Sequence, residues 1–160
     1  MIVCLIALFA GGIVGFGVNS FIYEKRLRHE METFSDNISK QHGFYSLLIR
    51  WVKLLIAGKS VGEYMHEKGY RTVAVYGMKE IGVLLIDELE KNDVTVAYGI
   101  DQAADSIYLP KKVIRPDEPM EPVDVVVVTA IHYYQDIRNA METKFDCPIV
   151  SLIDMLYEIK

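Results

Sequence analysis

The sequence predicts an α/β fold: an open parallel sheet of about four to five strands with helices on both faces, preceded by one transmembrane helix and a helical connector. Three observations predict it. A β-branched run, Thr72 to Tyr76, leads straight into a glycine turn and then a helical pattern. Val123-Asp124-Val125-Val126-Val127-Val128-Thr129 is nearly continuous in the manner of a central parallel strand, apolar on both faces. Ile2 to Tyr23 carries no charge. The resulting division is residues 1–23 as the transmembrane helix, 24–43 as basic flank and linker, 44–70 as helical connector, and 71–160 as the sheet domain.

Hydrophobic residues make up 51% of the 160, and the mean hydropathy is +0.18, with the surplus concentrated in Ile2 to Tyr23. A bilayer core of about 30 Å needs roughly 20 apolar residues in a helix, and this run supplies them, with Asn19 and Ser20 near one end. Glu24-Lys25-Arg26-Leu27-Arg28-His29 follows at once, and only Met1 precedes it. Because basic residues stay on the cytoplasmic side, the expectation is a single-pass protein of the cell membrane with a cytoplasmic body. A cleaved signal peptide is the rival, with Val18 and Ser20 as small residues, but the basic start such a peptide needs is missing. Gly11 and Gly15 are spaced for close helix approach in lipid, a homodimer contact, although glycine is common in membrane helices anyway.

Beyond the anchor the chain is acidic. Of 17 Lys+Arg, Lys25, Arg26 and Arg28 precede Met31; of 22 Asp+Glu, Glu24 and Glu30 do; the remainder is 14 against 20, a net of −6. Such a body lacks the basic footprint that nucleic acid requires, so no nucleic-acid partner is expected. Two cysteines, Cys4 and Cys147, suggest no disulfide framework and fit a reducing compartment.

Residues 30–43 read as a polar linker or a frayed helix extension. Phe44 to Ala57 has helical apolar spacing and stops at Gly58. Its apolar face either packs on the body or lies in the membrane interface with Trp51, Arg50 and Lys53 at headgroup level. Ser60-Val61-Gly62-Glu63 has capping-box spacing, so a short helix should run to about Lys68 and close at Gly69. Tyr64 and Lys68 match the Tyr-x-x-x-Lys spacing of short-chain dehydrogenases. The match is rejected, because in those enzymes the pair follows the glycine turn by more than a hundred residues.

Thr72 to Tyr76, then Gly77-Met78-Lys79-Glu80-Ile81-Gly82, then the helical Val83 to Glu90, is the strand–turn–helix context of a dinucleotide fingerprint. Gly77 supplies the tight turn and Gly82 the close helix-to-strand packing, while Lys79 replaces the middle glycine that admits a pyrophosphate. A side chain there crowds the usual dinucleotide pose. It either reaches an anionic phosphate at the helix N-terminus or is a solvated lysine on a structural turn. The second strand, Val94 to Ile100, ends in Asp101, 24 residues past Gly77 and near the spacing at which an acidic residue meets a ribose hydroxyl. Lys112-Val113-Ile114 reads as a short third strand, and Pro116 to Pro122 as a proline-rich, acidic connection.

After the valine strand a helix is expected to about Lys144, then Pro148-Ile149-Val150 as a last strand and Leu152 to Ile159 as a last helix. Ligands of open α/β sheets bind outside the carboxyl ends of strands, which puts Thr129 and His132 beside any ligand. His132 is read either as a catalytic base or as a surface histidine, and no spacing supplies it a nucleophile or carboxylate partner. No catalytic set and no metal-ligand spacing is assigned. The binding candidates are therefore Gly77, Met78, Lys79, Gly82, Asp101, Thr129 and His132.

The stretches Tyr76-Gly77-Met78-Lys79-Glu80-Ile81-Gly82, Gly99-Ile100-Asp101 and Asp124 to Ala130 resemble a family of small bacterial Rossmann-like proteins found with capsule and surface-polysaccharide genes. The likeness covers about the last hundred residues and is similar in kind to the nucleotide-sugar-binding domain in front of sugar acyltransferases. It implies a module that binds a nucleotide, a nucleotide-sugar or NAD(P) as an accessory to polysaccharide assembly, and the N-terminal anchor, read from Ile2 to Tyr23, lies outside the likeness. Lys79 departs from the pattern. A regulatory or scaffold domain for a membrane partner is the alternative. An epimerase- or dehydrogenase-like enzyme is the weakest reading, since no substrate domain follows the sheet and no ordered Tyr-Lys pair exists.

Overall fold

A computed structural model describes the backbone of residues 2–160 and the side chains of residues 23–160. The chain divides into two units, residues 1–42 and 43–160. The first unit is helical from Ile2 onward and belongs to α1 (Ile2–Ile56). Residues 30–43 are thus helix, with ion pairs Arg26–Glu30 and Asp36–Lys40 at i,i+4 spacing. The side chains on which the transmembrane and Gly11–Gly15 expectations rest lie outside the described residues. Among the described residues, no helix is long and apolar enough to cross a membrane.

In the second unit, five parallel strands form one open sheet in the order β3-β2-β1-β4-β5: β1 (Thr72–Tyr76), β2 (Thr95–Ile100), β3 (Val113–Ile114), β4 (Val125–Val128) and β5 (Ile149–Ser151). The α/β class and the parallel sheet are as the sequence predicts. Successive strands step outward from β1 through β2 to β3, then restart on the other side at β4. That reversal creates the switch point between β1 and β4, where Val75 pairs with Val127 and Tyr76 with Val128.

Because side chains alternate across a strand, β1 and β4 feed two cores. Val73, Val75, Val125 and Val127 face α3 (Glu80–Lys91), α5 (Leu152–Glu158), α2 (Val61–Lys68) and the last turns of α1. Ala74, Tyr76, Val126 and Val128 face Met141 of α4 (Tyr134–Met141), Phe145 and the connection carrying Val123. Helices therefore cover both faces, with the 116–122 connection sharing the second. The expected helix to Lys144 stops at Met141 and begins with a 3-10 turn, Ile131–Tyr133. The Lys144 and Phe145 amides both return to the Met141 carbonyl, which folds Phe145 under the sheet.

The connector packs on the body. Leu47, Trp51 and Leu54 are buried in the first core. Three polar contacts fix it. The Trp51 indole donates to the Glu88 carboxylate, whose other oxygen accepts from the Val61 amide at 2.6 Å. Arg50 donates to the Leu156 and Ile159 carbonyls, both at 3.0 Å, meeting the open C-terminus of α5. Burial raises the Glu88 pKa, although both donors pull against it. The capping box forms around Ser60 and Glu63, and Gly69 ends α2 in the left-handed conformation. Tyr64 and Lys68, the rejected dehydrogenase pair, hold Glu158 at 2.7 and 3.2 Å and tie α2 to α5.

Leu47 is fully buried, so Leu47→Ala should destabilise the second unit by about 2–5 kcal/mol. Urea unfolding of the full chain reads this through the emission of Trp51, the single tryptophan; an unchanged midpoint would contradict the packing.

Candidate functional site

The switch point is built by a backbone reversal. β1 ends at Tyr76, and Gly77 adopts φ +97°, a conformation glycine reaches without strain. Its amide donates to the Ile100 carbonyl at 2.9 Å, which extends the pairing with β2 by one residue. Its carbonyl turns toward β4 and α3 and accepts from the Thr129 hydroxyl at 2.7 Å. The same carbonyl lies where a side chain at Gly82 would begin: a Cβ there would stand 2.1 Å from the Gly77 oxygen. A Cβ on Gly77 would in turn stand 2.6 Å from the Thr129 hydroxyl and 3.2 Å from the Ala130 nitrogen. The two glycines thus let strand, helix and neighbouring strand meet at van der Waals distance.

Met78 points inward and is 4% exposed. Its thioether lies over Gly99, whose absent Cβ leaves the room, since one built there would be 2.5 Å from the sulfur. The Met78 amide donates to one Asp101 carboxylate oxygen at 2.8 Å, and the Ala103 amide donates to the other at 2.9 Å. Asp101 therefore fastens the glycine turn to the end of β2. A carboxylate offers about four lone-pair sites, and two of them are used here. Beside it, burial pushes the Tyr76 phenol up, a hydrogen bond with Gln102 pulls it back, and the Asp101 charge adds to the rise. The phenol stays protonated at neutral pH.

Lys79 is exposed and stands at the N-cap of α3, where no side chain caps the helix. The first bond of the helical series runs from the Val83 amide to the Lys79 carbonyl at 3.1 Å, so the amides of Glu80, Ile81 and Gly82 precede it. The helix start and the ammonium favour an anion, and the exposed Glu80 carboxylate in the same first turn works against one.

Thr129 is buried, and its amide also bonds the Tyr76 carbonyl at 2.9 Å. His132 leaves the same strand end but sits against α1. Its ring meets the Phe44 ring edge-on, with centroids 5.1 Å apart, and a Cβ on Gly43 would be 2.5 Å from the imidazole. Of the seven candidates, Gly77, Met78, Gly82, Asp101 and Thr129 form one contact network, Lys79 stands at the start of the adjoining helix, and His132 is held by the connector. Among the described residues, no group of three or more His, Cys, Asp or Glu side chains could hold a metal ion.

Sequence reasoning missed four residues here. Gln102 and Ala130 belong to the strand ends, and nothing in their types announces it. Gly43 read as part of a linker, although a glycine one residue before an aromatic helix face was a signal for close approach. Ser151, opposite Val128 at the end of β5, is buried, and its hydroxyl has no partner among the described residues. A cavity of about 220 Å³ lies elsewhere, between α3 and residues 109–111, and includes none of the seven. Asp87 and Glu90 line it, and Lys111 is paired with Glu90 at 2.6 Å, so its charge opposes a phosphate.

Comparison of the chain with protein-family models, with curated proteins and with solved structures finds no match.

Gly82→Ala should destabilise the second unit by roughly 1–3 kcal/mol or more, because its Cβ meets backbone rather than a movable side chain. Thermal unfolding checks it, and a variant as stable as the wild type would contradict the contact between Gly82 and the Gly77 carbonyl.

Proposed function

We propose that this protein is a membrane-tethered binding module for a nucleotide or nucleotide-sugar, an accessory to cell-surface polysaccharide assembly, with its body in the cytoplasm. One observation carries the ligand class: the uncapped start of α3 with Lys79 beside it, at the carboxyl edge of the sheet next to the switch point. A diphosphate would take the open amides of Glu80 and Ile81 and the Lys79 ammonium. The ligand's phosphate, rather than its ribose, is the part assigned to this turn, because Met78 fills the space over Gly99. That crowding weighs against an NAD(P) lying across the turn in the usual pose. The anchor and the polysaccharide role rest on the uncharged run at residues 2–23 and on the resemblance of the turn and valine strand.

A second reading has its own support. The turn satisfies itself through Asp101, Thr129 and Met78, as it would in a regulatory or scaffold domain that binds a membrane partner and no nucleotide.

Calorimetric titration of the full chain with UDP-sugars, UDP, ATP and NAD(P) separates the two. The first reading predicts saturable binding of a diphosphate compound, weakened at least about tenfold, or about 1.4 kcal/mol, by Lys79→Glu, with the fold unchanged by circular dichroism. Absence of binding by every compound would contradict it and leave the scaffold reading.

A further inference from the structure

The first unit presents an apolar stripe with a period that belongs to a coiled coil. Leu27, Met31, Phe34 and Ile38 are all exposed, and their steps of four, three and four residues are those of alternating d and a positions. The next step of three is Gln41, also exposed. Within the first unit the stripe spans two heptads, with the spacing of a coiled-coil seam. The charged residues stay off the stripe: Arg26 pairs with Glu30 at 3.1 Å and Lys40 with Asp36 at 2.8 Å along the same helix.

We propose that a second copy of this chain covers the stripe, forming a parallel, in-register two-stranded coiled coil through Leu27, Met31, Phe34, Ile38 and Gln41. Area supports the occupant. Met31 is 71% exposed and Phe34 68%. With roughly 200 Å² for a large side chain, the four apolar stripe residues and the exposed Gln41 offer on the order of 500 Å² per copy. Two copies then bury on the order of 1,000 Å², the lower bound for a specific interface. Polarity supports the direction. In a parallel pair Gln41 meets Gln41 of the other copy, and the two amides satisfy each other, as single polar core residues do when they set register. An antiparallel pair centred on Phe34 would lay that amide against Leu27. This contact is separate from any approach at Gly11 and Gly15, and it does not depend on the ligand reading of the turn.

Cysteine cross-linking tests it on the full chain in mild detergent, with Cys4→Ser and Cys147→Ser as background. Phe34→Cys and Ile38→Cys should each link to themselves on mild oxidation at least about tenfold faster than Asp36→Cys and Ser39→Cys, which point away from the stripe. Sedimentation equilibrium of the unlinked chain should give a dimer. Equal rates at all four positions, or no linking, would overturn the proposal. So would linking of Leu27→Cys to Gln41→Cys without self-linking of either, which would mean antiparallel helices. A monomer that instead binds phosphatidylglycerol vesicles through Phe34, losing them on Phe34→Glu, would overturn it as well.

Discussion

The Gly77 carbonyl sits between the α-carbon of Gly82 and the hydroxyl of Thr129, and the second unit is arranged around that three-way contact. Two of the three partners leave no space for alternatives. Helix α3 reaches the sheet at this distance only because residue 82 lacks a side chain. β4 can turn away at Ala130 only where Gly77 leaves room for its nitrogen. Asp101 then locks the turn from the opposite side by binding the Met78 amide. The position of the proposed phosphate seat follows from this contact, since it sets where α3 begins and where Lys79 stands.

A second group of contacts works at a distance from the turn and holds the helices of the first core. Glu88 joins three of them, accepting from Trp51 of α1 and from the first amide of α2 while itself part of α3. Arg50 and Glu158 bring α5 into the same set. Burying a carboxylate costs free energy unless donors satisfy it, and here an indole and a helix-start amide do so. One consequence reaches the site: with the connector fixed, Phe44 and Gly43 stand against His132. The histidine is thereby held by its neighbour on α1.

Much of this could be read from residue types in order. The strands at 72–76 and 125–128, the glycine turn, the capping box at Ser60 and the sheet class all rest on local rules of turn chemistry and alternation, and those rules act within a few residues. Asp101 was legible as a strand-end acid, but its hydrogen bonds to Met78 and Ala103 were not, because spacing gives proximity and not the identity of the donor. Long-range partners such as Glu88 with Trp51 follow from tertiary packing, and no local signal separates Glu88 from other helix-surface carboxylates. Residues 30–43 show the limit in another way. Judged by polarity they resemble a linker, yet they are helical, and the period of Leu27, Met31, Phe34 and Ile38 emerges only when the helix is taken as continuous past the basic flank.

The central functional claim is that the turn between β1 and α3 holds a phosphate-bearing nucleotide ligand. Native mass spectrometry of the purified full chain addresses it whichever nucleotide is bound. The account predicts an added mass of a nucleotide diphosphate or its sugar conjugate, either retained from the cell or taken up when UDP-sugars are supplied, and absent from the Lys79→Glu chain. A bare polypeptide mass that no supplied nucleotide changes would contradict it.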